Sequence, residues 1–448
     1  MLQYSGRERA DMSRKMKHLI SENVDFHDDG KIKSLDVYAP FRMNLGIMIL
    51  VMIMMAFGTL MLFSASMPKA YTSQGNSMYY VIRQGKFLIA GFVAAVVIAF
   101  LPIKKFDFWP ITILVFLVSI GVAVWTMWKG EVVNGARRWI FIGGTSFQTS
   151  ELIKICIVFF IAGYRSGIQR LRKKGWFQAK KNFSQASIDA FVDITFPGFC
   201  VLVVLGIVLA QPHMSCFLIL GAVSFVSFLC CGIPLRSWIR GGALLLAIGI
   251  IGLGGFYMTL STAKREKIQN NFAHVVTRLN IFASMNSDEE EGEEKADDDE
   301  KYQSNQSIIA VGSGGMTGVG FGNSRQKYMY LPEAHNDYVY SIICEELGFV
   351  GGVSVLVLFW LFMIGGFLVS WQASSLFTRV LTAGYTSLIT LQAFLNVGVD
   401  IGAVPPTGIT LPFFSFGGTA NFFFMIAVGI ILSVSRTGVK RKTMKLVV

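Results

Sequence analysis

Apolar residues in this chain come in long uninterrupted runs, not in alternation or in one-sided stripes. The runs cover residues 44–66, 87–103, 109–128, 149–166, 190–210, 213–233, 241–260, 349–371, 380–399 and 419–435. Each carries few or no charges and is close to the ~20 residues a helix needs to cross a bilayer. The pattern predicts an all-α integral membrane protein whose ten transmembrane helices occupy residues 44–435, between tails at 1–43 and 436–448. Ten spans put both tails on one side.

Which side follows from the basic residues, which collect in cytoplasmic loops. One alternate set of segments (1–43, 103–108, 165–187, 233–240, 372–379 and 436–448) holds 25 of the 40 Lys and Arg. Both termini are therefore expected in the cytoplasm, and the polar N-terminal tail makes the first span, not a cleavable signal, the insertion signal. Arg170, Arg172, Lys173, Lys174, Lys180 and Lys181 read as topology determinants that also attract anionic lipid. A net charge of +12 would suggest nucleic acid in a soluble protein; this placement points to a membrane and to no nucleic-acid partner.

Composition agrees, with 53% hydrophobic and 15% charged residues against roughly 25% charged in soluble domains. Five of the six cysteines (Cys156, Cys200, Cys216, Cys230, Cys231) sit inside apolar runs as small hydrophobes, and no disulfide framework or zinc spacing is present. The opposite face bears a large extracytoplasmic loop, 261–348, between spans seven and eight. Ten of the thirteen residues of its insertion 288–300 are Asp or Glu, a block expected to be solvated and disordered. It is the one extramembrane stretch long enough to build a site.

Four outer segments carry chemistry. The first is Gly135-Ala136-Arg137-Arg138-Trp139-Ile140, a loop before span four, with Gln148-Thr149-Ser150-Glu151 and Lys154. Arginines here run against the inside bias, and Glu151 and Lys154 share one helix face three residues apart. Either they form a cationic pocket suited to phosphate oxygens, or Lys154 snorkels beside a structural Glu partner. The second, Gly312 to Ser324, is glycine-dense but has no nucleotide-binding spacing, which leaves tight turns and close backbone approach. Two S-x-x-K occurrences, Ser66 to Lys69 and Ser261 to Lys264, lack their companion motifs and are read as chance.

The third segment runs Leu331-Pro332-Glu333-Ala334-His335-Asn336-Asp337-Tyr338 and becomes helical from Tyr338 through Glu345-Glu346-Leu347-Gly348 into span eight. Eight helical residues separate Asp337 from Glu345, about 12 Å of rise, too far for a glycosidase-type carboxylate pair on this helix. Asp337 is then either a single general base or a helix N-cap. The fourth, Gly402 to Thr419, packs three prolines and four glycines among apolar residues. Such backbone near membrane depth must be buried or line a cavity, which makes it a wall of the site. Asp193, Gln211, His213, Gln392 and Asn396 are polar residues within spans, read as interhelical hydrogen bonders.

Together, Gly135 to Ile140 with Gln148 to Glu151, Tyr302-Gln303, Pro332 to Asp337 with Glu345 to Gly348, and Pro406 to Pro412 with Ser415 to Gly418 resemble the FtsW, RodA and SpoVE family over about residues 44 to 436. Asn323 to Lys327 and Gly408 to Pro412 look closest to the FtsW or SpoVE branch. The resemblance implies a multi-pass protein of the bacterial cytoplasmic membrane that polymerises lipid II, an undecaprenyl-pyrophosphate-linked disaccharide peptide, into glycan strands at the outer face. It implies Asp337 as the base of an inverting transfer, and Arg137, Arg138, Glu151, Lys154, His335, Glu345, Glu346, Thr407 and Ser415 as substrate-binding residues. It further implies a class B penicillin-binding protein as transpeptidase partner, within division or elongation machinery, and leaves room for a divalent cation, Mg or Mn, whose ligands cannot be assigned. Three features depart from the family pattern: Gln211-Pro212-His213 in place of Gln-Pro-Asp, Thr149 in place of proline, and the acidic insertion. A lipid II flippase and a non-catalytic scaffold are the rival expectations; a flippase would need ionisable groups near the midplane, where only Asp193 and Lys154 occur.

Overall fold

A computed structural model describes residues 24–26, 32–35, 43–133, 136–142, 145–178, 184–211, 214–259 and 295–437. A short antiparallel ribbon, β1 (Val24–Phe26) with β2 (Ile32–Leu35), precedes α1 (Leu45–Gln74), α2 (Tyr79–Phe100) and α3 (Trp109–Lys129). A three-stranded antiparallel sheet follows, β3 (Glu131–Val133), β4 (Ala136–Ile142) and β5 (Thr145–Gln148). The remaining helices are α4 (Thr149–Lys173), α5 (Gln185–Ala210), α6 (Met214–Leu229), α7 (Leu235–Thr259), α8 (Lys295–Ser313), α9 (Val339–Gln372), α10 (Leu376–Asp400) and α11 (Gly418–Thr437).

Seven of these helices, α1, α2, α3, α5, α9, α10 and α11, are long and apolar enough to cross a membrane. The other three expected spans fall on α4, α6 and α7. The protein is mostly helical, as expected, with two corrections. The segment around Arg137 is not a loop but strand β4, which packs between β3 and β5 over the ends of α3 and α4. Residues 295–300 of the acidic block open helix α8, while 288–294 lie outside the described residues.

Helix ends are set by local chemistry. Asn44 Oδ1 accepts the Ile47 N–H at the start of α1, and Gly75 ends it in the left-handed region at φ 66°. Thr149 is the first residue of α4, a position whose amide needs no intrahelical partner and where proline is also welcome. In α5 the turn Phe191–Thr195 widens to a π-helix just before Pro197, whose ring nitrogen cannot donate to the carbonyl of Asp193. Asp193 there pairs with Arg165 and Arg172 at the end of α4. Helix α10 is buried along most of its length and packs against α4, α6, α8, α9 and α11.

The glycine-rich segment completes a broken helix. Gly348 leaves helical geometry inside α9, at φ 68° and ψ −164°. The Glu345 and Glu346 carbonyls, deprived of their partners four residues on, accept the Val319 and Gly320 N–H groups at 3.0 Å each. The freed Phe349 and Val350 amides donate to the Gly315 and Met316 carbonyls at 2.8 and 3.3 Å. Close backbone approach is what the glycines allow, since a Cβ on Gly318 (φ 80°) would strike the Glu346 carbonyl. Gly318→Ala is expected to destabilise the protein by about 2 kcal/mol or more, whereas Gly312→Ala, with open space at its Cβ position, is neutral; unfolding midpoints in detergent compare the two.

Candidate functional site

Helix α10 organises the site with three polar residues spaced four apart, Gln392, Asn396 and Asp400, which therefore lie along one face. All three are buried. Gln392 Oε1 accepts the Lys154 ammonium at 2.7 Å, and its Nε2 donates to the Thr410 carbonyl at 3.1 Å. Asn396 Nδ2 donates to the carbonyls of Asp337 and Ile409 at 2.6 and 2.7 Å. Asp400 Oδ2 accepts from the Ser341 backbone at 3.1 Å. The stripe thus binds three of the four sequence segments to one helix, with the Lys154 layer about 6 Å of helical rise from the Asp337 layer.

Asp337 is half-buried immediately before α9. Its carboxylate faces the turn at Gly408 (φ 60°), where an added Cβ would lie 3.5 Å from Asp337 Oδ2. Two residues earlier begins a cavity of about 200 Å³, lined by Ala65, Lys69, Lys327, Met329, Leu331, Pro332, Glu333, Ala334 and His335. Met329 and Glu333 in its wall, and Phe413 in the wall loop, adopt positive φ of 71°, 53° and 69°. Such backbone costs of order 1–3 kcal/mol per residue and gathers where function over-determines it.

Two cations line this cavity, Lys327, which is fully buried, and Lys69, which is half-buried. Lys69 pairs within the lining. It holds Glu333 Oε1 at 2.9 Å, and Asn336 donates to the other Glu333 oxygen. Burial pushes the Glu333 carboxyl up, but Lys69, with His335 and Asn336, outweighs it and holds the group below the usual range. His335 is buried in a cluster with Tyr80 and Phe416, with ring centroids at 4.5 and 6.0 Å, and the two aromatic rings meet each other edge-on at 4.9 Å. Burial, reinforced by Lys69 and opposed by Glu333, lowers its pKa to about 4. The unfolded chain, with a His pKa of roughly 6.5, takes up a proton that the native state refuses. His335 therefore contributes stability that is full above about pH 6.5 and lost as pH falls toward 4. Thermal unfolding between pH 7.5 and 4 is expected to show a shallower acid decline in His335→Gln than in wild type.

The other expected site residues divide. Lys154 and Glu151 form a buried ion pair at 2.8 Å, with Lys154 5.8 Å from the Phe424 ring centroid; Glu151 Oε2 has no hydrogen-bond partner among the described residues. Glu345 is buried and accepts from Ser324 Oγ and the Arg325 N–H. Glu346 is buried too, held by Ser64 Oγ and by Lys327 Nζ at 2.8 Å. The structure thus gives these two carboxylates to the loop that closes the cavity. Ser415 Oγ accepts the Leu411 N–H, and its carbonyl accepts from Gln84 and Asn421, so it shapes the wall loop. The Thr407 carbonyl accepts from Ser215, while its buried hydroxyl has no partner among the described residues. Arg137 and Arg138 sit on β4, and their side chains, like His213, lie outside the described residues.

Among the described residues no three His, Cys, Asp or Glu side chains converge in a group that could hold a metal ion. Sequence reasoning missed Lys69, Glu333, Lys327 and Asp400. Lys69 was discoverable, being a cation on the outer side of span one against the same charge bias that singled out Arg137. Asp400 was not, because its meaning depends on Ser341, which only the tertiary fold brings near.

A mostly helical fold with seven helices long and apolar enough to cross a membrane, packed around a buried helix that carries a polar stripe, defines a multi-pass membrane protein. Residues 44–440 match the FtsW/RodA/SpoVE family of cell cycle proteins, and the chain belongs to that family. It is 30% identical to stage V sporulation protein E of Bacillus subtilis, over 88% of this chain and 97% of that protein. It is likewise 30% identical to the probable peptidoglycan glycosyltransferase FtsW of the same organism, over 86% and 88%. In fold it resembles a chain of a peptidoglycan synthase complex that coordinates polymerization and crosslinking, with a TM-score of 0.61, 23% identity, and coverage of 88% of this chain and 97% of that one.

Proposed function

We propose that this protein is a peptidoglycan glycosyltransferase that polymerises lipid II at the outer face of the bacterial cytoplasmic membrane, with ten spans and both termini in the cytoplasm. The observation that carries the proposal is the half-buried Asp337 carboxylate, fixed by Asn396 through its own carbonyl and facing the Gly408 turn beside the cavity. Its family membership and the activity named for the FtsW relative support the same reading.

In the proposed step Asp337 takes the proton from the acceptor sugar hydroxyl as that oxygen attacks the anomeric carbon of the donor. The carbon–oxygen bond to pyrophosphate breaks on the opposite side, and the configuration inverts. Negative charge then grows on the leaving pyrophosphate, for which Arg137 and Arg138 on β4 and the Lys154 layer are the proposed counter-charges. Lys69 adds a positive charge at the cavity mouth. Neutral His335, packed with Tyr80 and Phe416 in the cavity lining, offers an aromatic wall for a sugar face. Glu345, Glu346, Thr407 and Ser415 serve the site through the loops they hold. The proposed partner is a class B transpeptidase, since the structurally similar chain comes from a complex that joins polymerization to crosslinking.

The test is polymerisation of labelled lipid II by purified protein, alone and with its transpeptidase. Glycan polymer is the expected product. Absence of polymer with an active partner overturns the reading, and a lipid-translocation assay in vesicles then separates a flippase from a scaffold.

A further inference from the structure

We propose that Asp400 is a positioning residue that supplies, from a different helix, the missing N-terminal cap of α9 and so fixes Asp337 against the Gly408 turn. The proposal rests on Asp337 being the base of the reaction above. The first amides of a helix have no intrahelical acceptors, and a side chain at the N-cap ordinarily accepts from the second or third of them. The N-cap of α9 is Tyr338, which makes no side-chain cap hydrogen bond. Asp400 fills the role. Its Oδ2 accepts the N–H of Ser341, the third residue of α9, at 3.1 Å.

Two more links make this a junction. Ser341 Oγ lies 3.2 Å from Asp400 Oδ2 and 2.6 Å from Ser307 Oγ on α8, and Ser307 Oγ donates to the Asp400 carbonyl at 2.8 Å. One turn back on α10, Asn396 holds the Asp337 and Ile409 carbonyls together. The start of α9 is thus gripped at Asp337 by Asn396 and at Ser341 by Asp400. Asp400 is fully buried, and its Oδ1 has no hydrogen-bond partner among the described residues. A carboxyl is an expensive group to keep in such a place, and a leucine would pack there without that desolvation penalty. Its retention is explained by the cap, which also ties α8, the helix entered from the acidic segment, to the position of the base.

The experiment compares full-length wild type, Asp400→Leu and Asp400→Asn by hydrogen exchange across residues 338–343 and by lipid II polymerisation kinetics. Asp400→Leu is expected to speed exchange of the Ser341 amide and to lower kcat, each by about tenfold or more, with the apparent KM for lipid II within about twofold. Asp400→Asn, whose carboxamide oxygen still accepts the Ser341 N–H, is expected to recover both to within about threefold of wild type. Unchanged exchange and kcat in a folded Asp400→Leu, or an Asn variant no better than Leu, overturns the proposal. If the Leu variant does not fold, Ser307→Ala replaces it, and about threefold faster Ser341 exchange is expected; unchanged exchange overturns the proposal. A wild type that makes no polymer defeats the glycosyltransferase reading, while the exchange result still decides whether Asp400 holds the helix start.

Discussion

Replacing Asp337 with asparagine is expected to lower the turnover of lipid II by about 10²- to 10⁴-fold, the usual contribution of a positioned general base. Asparagine has the same size, and the Asn396 bond goes to the backbone carbonyl of residue 337, so the anchoring of the segment survives the change. The unfolding midpoint should therefore stay at the wild-type value, and the apparent KM within about twofold, because the lost interaction belongs to the transition state. Polymer formed at the wild-type rate by a folded Asp337→Asn protein would remove this carboxylate from the chemistry.

The second large effect concerns stability. Lys327 and Glu346 meet at 2.8 Å with both side chains fully buried, and Lys327 Nζ also donates to Ser64 Oγ at 3.0 Å and to the Gly322 carbonyl at 2.7 Å. These bonds fasten the glycine-rich loop to α1 and to the start of α9. Lys327→Met strands a carboxylate in the interior and is expected to cost about 3–5 kcal/mol. The double variant Lys327→Met with Glu346→Gln removes the stranded charge and should recover a large part of that loss. Thermal unfolding of the solubilised single and double variants checks it. A Glu346→Gln protein with unchanged stability and a raised KM for lipid II would instead make Glu346 a substrate ligand.

These two effects mark different kinds of legibility. Asp337 could be singled out in the sequence as a lone acid between a proline-bearing loop and an apolar helix, with general base and helix N-cap both open. Glu346 could not be assigned in the same way. In sequence it is one of two acids beside a site, and only the loop folded back upon it shows that Lys327 occupies it. The strand at Arg137 was hidden for a related reason, since its pairing partners Val132 and Gln148-flanked β5 are fixed by the fold of the whole hairpin. Lys154 and Glu151 were paired correctly from their spacing, yet the third partner, Gln392, comes from more than two hundred residues away.

The sequence by itself determined that this is a helical membrane-type protein and approximately where its apolar helices run. Transfer of apolar side chains out of water is additive along a contiguous run, so a membrane helix is legible from local composition alone. Tertiary structure alone decided how the buried polar groups divide among partners. That division depends on hydrogen-bond partners distant in sequence: Asn396 for Asp337, Asp400 for Ser341, Lys327 for Glu346. A buried polar group takes its role from the partner that satisfies it, and the partner is chosen only when the helices pack.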